Sequence, residues 1–285
     1  MAPRTVAGVK RLLDRRADEL AWLAIDWYGG EPLLAADIVD DIQSHAQSLA
    51  APNPDMRLRS SMTTNGYHLD HERMTRLLEL GVDRFMIAID GPPWIHDTRR
   101  TLANGRGTFD RIWANLLSAR RQARTFEITI RVQLDRQTTD ALDELLGLFE
   151  SAFAEDSRFQ LAFYPLRCTN GRGTSVVDYL DAAECESVPV EAQSRAAEME
   201  LAFRESPSSI ACHAARGNSF VVRSDGGLSK CVVALSDPSN RIGRLCEDGR
   251  VEVDDAKLSP WLRGLWSEDP DELGCPLAEI PRMDA

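Results

Sequence analysis

Five short apolar segments, separated by amphipathic ones, constrain this chain more than any other feature of its sequence. Residues 23–27, 57–62, 84–89, 126–134 and 159–164 read as strands, and Ile128, Ile130 and Val132 fall on one side of the fourth. Val6, Val9, Leu12, Leu13, Ala17 and Leu20 recur at helical spacing ahead of the first strand. Residues 35–50, 70–80 and 108–124 read as helices between the strands, and so does the set Leu142, Leu145, Leu146, Phe149 and Phe153. Gly81 is placed to end the helix over 70–80. Strands and helices in strict alternation predict a parallel sheet with right-handed crossovers.

The chemistry-bearing residues gather where strands end. The first strand runs into Trp27-Tyr28-Gly29-Gly30-Glu31-Pro32. Two residues without a Cβ let another molecule approach the backbone closely, and the carboxylate that follows suits an ammonium group. The second strand closes in Thr63-Thr64-Asn65-Gly66, the third in Asp90-Gly91-Pro92, and Arg131 lies in the fourth. In α/β folds that edge of the sheet is where ligands bind. Read singly, each residue has a plainer role: a turn at Asn65, a surface strand position at Arg131, a structural hydrogen-bond donor at His96.

Beyond residue 164 the rhythm changes. Residues 165–188 read as loop and 191–204 as a helix. Short β-like pieces follow at 220–222 and 228–233 around an Asp225-Gly226-Gly227 turn, and 258–266 read as a last helix. The expected division is 1–188 and 189–285.

A net charge of -12 and a pI near 5.0 argue against a grip on nucleic acid through its phosphates. No stretch reaches the roughly 20 apolar residues that span a bilayer, and the N-terminus has no apolar signal core. The expectation is therefore a cytoplasmic protein with neither nucleic-acid nor membrane partners. In a reducing compartment the cysteines at 168, 185, 212, 231, 246 and 275 are free thiols or metal ligands rather than disulfides.

In order along the chain, Tyr28-Gly29-Gly30-Glu31-Pro32, Thr64-Asn65-Gly66, Ile89-Asp90-Gly91-Pro92, Ile95-His96-Asp97 with Arg99, Gly107-Thr108-Phe109-Asp110, Ile130-Arg131-Val132 and the spaced pair Cys212 and Cys231 form one set. This set resembles radical SAM enzymes with a SPASM extension, the peptide and protein maturases of the anaerobic sulfatase-activating type. The resemblance covers roughly residues 4–277. It implies an α/β fold, a partial (β/α)6 TIM-like barrel whose first strand is missing here, with a small SPASM-like β-hairpin and helix extension. It implies S-adenosylmethionine beside a [4Fe-4S] cluster, a 5′-deoxyadenosyl radical, and hydrogen-atom abstraction from a peptide or protein. By position, Gly29, Gly30 and Glu31 would meet the methionine ammonium and Arg131 its carboxylate, with Asn65 and Asp90 lining the same mouth. Cys212, Cys231 and Cys275 would be part of a metal-ligand set. No catalytic residue is assigned.

The sequence also departs from that family. Nowhere does it contain Cys-x3-Cys-x2-Cys, and the extension carries an incomplete cysteine set. Ala88 stands where the family often has a serine, and Val232 where sulfatase activators carry a basic aspartate. One expectation is the body of a maturase whose N-terminus lies upstream of Met1, inactive in this form. The alternative is a degenerate, non-catalytic member that binds a peptide or partner. A cluster-free aldolase or isomerase is disfavoured, because the strands offer no lysine for a Schiff base. A missing first strand would leave 23–27 as an unpaired edge, to be covered by residues 1–20 or used for dimerisation.

Overall fold

The computed structural model describes residues 1–166, 178–204 and 211–280. Helix α1 (Pro3–Arg16) precedes β1 (Trp22–Trp27), α2 (Ala36–Ala50), β2 (Arg57–Thr64), α3 (His71–Glu79) and β3 (Val82–Ile89). Next come α4 (Pro93–Arg99), α5 (Phe109–Ala119), β4 (Glu127–Leu134), α6 (Arg136–Asp140), α7 (Leu142–Phe153), β5 (Phe159–Pro165) and α8 (Glu184–Glu198). The remainder holds β6 (Val221–Val222), β7 (Gly227–Ser229), β8 (Arg241–Leu245), β9 (Val251–Val253), α9 (Asp255–Leu258), α10 (Gly264–Ser267) and α11 (Pro270–Gly274).

All five expected strands form, and they lie side by side in sequence order as one sheet, with β1 at an edge. Pairing is parallel from β2 through β5. The alternation of side chains across a strand gives this sheet two unlike faces. Phe85, Ile87 and Ile89, then Ile128, Ile130 and Val132, then Leu161 and Phe163 are buried on one. Ser61, Thr63, Arg84, Met86, Ala88, Arg131, Gln133, Gln160 and Tyr164 alternate with them and are half-buried on the other. β1 is exposed at every second residue: Trp22, Ala24 and Asp26.

The chain falls into two compact units, each drawn from both sides of residue 188. One comprises Met1–Ala24, Ala35–Leu58 and Pro207–Ala285; the other comprises Ile25–Leu34 and Arg59–Ser206. In the first, β6 to β9 form an antiparallel sheet. Ala214, Leu228, Ile242, Leu245, Trp261 and Ile280 make its core, with Val9 and Leu12 of α1 packed against it. The second unit carries most of the parallel sheet and an aromatic cluster in which Trp113, Phe149, Phe153 and Phe159 stack or meet edge-on.

The C-terminal elements differ from expectation in three places. The helix expected over 191–204 occupies Glu184–Glu198, with Pro189 inside it. It stops because Glu200 turns left-handed (φ 55), and Leu201 N and Glu200 N bond back to the carbonyls of Ala196 and Ala197. No glycine marks that stop, and Phe203 then bridges Leu161 of β5. The helix expected over 258–266 is broken into α9, a 3-10 turn at Ser259–Leu262 containing Pro260, and α10. Strands β8 and β9 were not anticipated. Of the loop expected over 165–188, residues 167–177 lie outside the described residues, as does Cys168. Among the described residues no helix is long and apolar enough to cross a membrane.

Trp261 is fully buried at the centre of the small core. Its replacement in Trp261→Ala should destabilise the protein by about 3–5 kcal/mol, as expected for a large buried aromatic. The check is the urea midpoint followed by circular dichroism.

Candidate functional site

The tips of β1 and β2 are joined by one carboxylate. Glu31 Oε1 accepts from Thr64 Oγ1 at 2.7 Å and from Leu33 N at 3.1 Å, while Oε2 accepts from Asn65 N at 2.7 Å. An ionised carboxylate offers about four acceptor positions, so one is left for an incoming cation. Just before it, Gly29 has a φ of +145, which accounts for glycine there. Gly30 has no such constraint, and a Cβ added at either glycine would meet nothing within 4 Å. The protein's own packing does not require a bare backbone at Gly30, whereas a closely approaching ligand would.

The Thr64-Asn65-Gly66 turn is fixed from behind. Asn65 Oδ1 accepts from Tyr67 N at 2.9 Å, and Thr64 Oγ1 accepts from Gly66 N at 3.1 Å. Gly66 has a φ of +76, and a Cβ there would press on Ile87 and Ile112 at 3.0 and 3.2 Å. Buried Asn115 of α5 donates to the carbonyls of Gly66 and Tyr67 at 2.8 and 3.0 Å. An asparagine inside a helix gave no sequence signal for this role.

Asp90 follows β3, but its carboxylate faces inward. Arg100 grips it at 2.6 and 3.2 Å, and the Asp90 side chain is only 6% exposed. The neighbouring Arg99 reaches the buried Asp135 at the end of β4 at 2.7 Å, along with Thr138 and Gln137 at 2.9 and 3.0 Å. Asp135 also caps α6 through Thr138 N. The two arginines lock the β3 tip to the β4 tip, and Thr138 Oγ1 donates to Asp90 O at 3.2 Å, so Asp90 is part of the scaffold in both side chain and backbone.

His96 completes that lock. Its Nδ1 accepts from Asp90 N at 3.2 Å, and its Nε2 lies 3.1 Å from Thr108 Oγ1, which donates to Arg100 O at 2.8 Å. Asp97 accepts from Thr108 N and Phe109 N at 2.8 and 2.9 Å. A Cβ on Gly107 would fall 2.1 Å from the Asp97 carboxylate, which explains the glycine of Gly107-Thr108-Phe109.

Arg131 shares a ladder position with Ala88 and Ala162 on the half-buried face. Its guanidinium lies 4.9 Å from the Tyr164 ring centroid. Its Nε is buried without a hydrogen-bond partner. Glu31, Thr64 and Asn65 are thus brought together directly, Arg131 keeps a free donor on the same sheet, and Asp90 is held apart by Arg100.

Cys212, Cys231, Cys246 and Cys275 stand in the other unit, whereas Cys185 belongs to the unit of the strand tips. Cys212 and Cys231 are half-buried against the Trp261 core, and Cys275 is exposed. The His213 ring, 4.0 Å from Cys212 Sγ, lowers that thiol's pKa below its usual value. Among the described residues no three His, Cys, Asp or Glu side chains are grouped so as to hold a metal ion, and Cys212, Cys231 and Cys275 are no exception. Cys185 is buried near Leu180 O, and Cys246 Sγ donates to Glu252 at 3.3 Å.

Two outcomes follow. Burial holds the His96 pKa below 6.5, with Asp90 and Asp97 opposing the shift and Arg100 and Arg99 adding to it. A folded state that resists protonation loses stability as pH falls below 6.5, because the unfolded chain binds the proton more readily. Urea midpoints should therefore drop on mild acidification, and less steeply in His96→Asn. Gly107→Ala should lower the thermal midpoint through the clash with Asp97, whose two backbone bonds keep it from moving aside. Asp97→Ala combined with Gly107→Ala should lose less than the sum of the two single changes.

Residues 3–148 match the family model described as the Radical SAM superfamily. The fold is similar to that of native anSMEcpe with bound AdoMet, at a TM-score of 0.69 and 18% identity, over 90% of this chain and 71% of that one. It is also similar to Streptococcus suis SuiB bound to precursor peptide SuiA, at a TM-score of 0.61 and 15% identity, over 98% and 64%. Over 150 residues the chain is 25% identical to the Fe-coproporphyrin III synthase of Methanosarcina barkeri (strain Fusaro / DSM 804), which covers 53% of this chain and 33% of that protein. It therefore spans a third of that relative's length. With a family match over more than half its residues and the glycine, carboxylate and arginine arrangement above, the chain belongs to the radical SAM superfamily.

Proposed function

We propose that this chain binds S-adenosylmethionine across Gly29, Gly30, Glu31 and Arg131 and is the body of an enzyme that abstracts hydrogen from a peptide or protein. The observation that carries the reading is Arg131: its buried Nε donor has no hydrogen-bond partner and so still requires an acceptor. The methionine carboxylate meets that requirement, and the vacant acceptor position on Glu31 suits the methionine ammonium. Asn65 keeps its Nδ2 free for the same ligand, because only its Oδ1 serves the turn. In this superfamily S-adenosylmethionine supplies the group that abstracts hydrogen. The residues of this chain bind and orient it. The peptide assignment draws on the SuiB likeness. Residues 1–188 carry the nucleotide end in this reading, and 189–285 the SPASM-like extension.

The auxiliary iron–sulfur cluster that the SPASM resemblance implies does not fit the described residues, since Cys212, Cys231 and Cys275 are not grouped. No step is routed through it. A second reading is a family member that binds S-adenosylmethionine and a peptide or partner without reductive chemistry.

Calorimetric titration with S-adenosylmethionine tests the first reading. Arg131→Met and Glu31→Ala should each weaken binding about 10- to 100-fold, the scale of one charge-assisted hydrogen bond. Unchanged affinity in both, or no binding to the native chain, overturns it. Anaerobic treatment with iron and sulfide, followed by assay for 5′-deoxyadenosine, separates the two readings: its release supports the enzyme, and binding without release supports the module.

A further inference from the structure

We infer that Arg84, at the opposite end of β3 from the nucleotide site, is the receptor for a carboxylate of the substrate peptide. The inference rests on the peptide reading above and specifies the substrate's chemistry.

Three observations at Arg84 point the same way. First, its Nη1 is buried with no hydrogen-bond partner, and among the described residues no carboxylate stands within ion-pair distance. A charged donor left in that state is costly in the free protein and becomes useful when a ligand arrives. Second, the carboxylate best placed to neutralise it is turned elsewhere. Glu127 is the ladder partner of Arg84 across β3 and β4, yet its Oε1 lies 3.9 Å from Arg204 Nη1. Third, the backbone is adjusted at this spot. The β2–β3 register passes from Ser60↔Val82 to Ser61↔Arg84, leaving Asp83 as an extra residue. A bulge re-aims the side chain beside it, and such bulges are common next to functional sites.

The position relates Arg84 to the nucleotide site. Arg84, Met86 and Ala88 alternate along the half-buried face, and Ala88 is level with Arg131. The two unsatisfied guanidinium groups thus share one face, about four residues or roughly 13 Å apart along the strands. Ser61, Gln160 and Gln133 line that face with uncharged polar groups. An extended peptide rises about 3.3 Å per residue. A carboxylate held at Arg84 would therefore place a residue a few positions away beside the nucleotide site. Arg59, exposed on β2 one alternate position before Ser61, stands at the same end and interacts electrostatically with Asp83.

The test uses small carboxylate probes on the full chain. N-acetylglutamate amide presents an acidic side chain, N-acetylalanine presents a terminal carboxylate, and N-acetylglutamine amide and N-acetylalanine amide are their neutral counterparts. Affinities are read by ligand-observed NMR titration. At least one carboxylate probe should bind in preference to its neutral counterpart, and Arg84→Met should weaken it about 10- to 100-fold. The probe that responds tells side chain from terminus. Should Arg84→Met not fold, Arg84→Lys carries the same measurement, because an ammonium loses the paired donors of the guanidinium. Equal binding of charged and neutral probes, no binding of either, or a carboxylate affinity unchanged by the substitution overturns the inference. S-adenosylmethionine affinity, measured in parallel, should be the same in native and Arg84→Met chains. Failure of that nucleotide binding strikes the proposed function, and failure of the carboxylate probes strikes Arg84 alone.

Discussion

The Glu31 carboxylate is the contact on which the candidate site depends. It ties the segment after β1 to the segment after β2 through Thr64 Oγ1 and Asn65 N. Sheet pairing sets β1 beside β2, and this carboxylate extends the tie beyond the strands to the loops that follow them. A residue that meets a ligand directly is more often free on one side; here the same side chain organises two loops and keeps an acceptor position open. Asn115 and Gly66 hold the second loop from behind, so the order of the site comes from the scaffold and does not wait for a ligand.

The second dependence is the difference between the two faces of the parallel sheet. Parallel strands covered on both faces read as continuous apolar runs. These do not, because every second residue of β3 and β4 changes character: Phe85, Ile87 and Ile89 against Arg84, Met86 and Ala88, and Ile130 and Val132 against Arg131 and Gln133. The apolar set supplies the core that fixes strand register. The other set is then free to carry function at no cost to packing. Arg84, Glu127 and Arg131 are the charged members of that set on the central strands, and the two arginines each keep a buried donor without a partner.

The strands and the ordered motifs were legible in the sequence because they are local. Residues 84–89 and 126–134 alternate as strands must, Gly81 ends α3 with a φ of 78, and Asp225-Gly226-Gly227 does make the β6–β7 turn. What could not be read was pairing across the chain. Nothing in the sequence distinguishes Asp90 as a partner of Arg100 from Asp90 as a ligand of a nucleotide. Nor does it join Arg99 to Asp135, 36 residues away. Both depend on how α4 and its following loop return over the strand tips. The end of α8 was misplaced for a related reason: Glu200 adopts a conformation usually left to glycine. The four-stranded sheet was only half visible because β8 and β9 have five and three residues, too short for a periodic signal.

The environment of the cysteines separates a resemblance in spacing from a resemblance in function. Small metal-bound modules take much of their folding free energy from the metal. Here the segments bearing Cys212 and Cys231 are held by the protein itself. Asn240 is fully buried; its Oδ1 accepts from Lys230 N and Cys231 N, and its Nδ2 donates to Cys231 O and Ala234 O. Buried Lys230 donates from Nζ to the carbonyls of Arg216 and Ser219, which closes the loop after Cys212. Burial lowers that ammonium's pKa to about 8, and Cys212 opposes the shift. With Trp261 and Leu228 packed beneath, backbone bonds and apolar contact account for the order of this region. The thiol spacing alone therefore does not require a cluster to explain why these loops fold as they do.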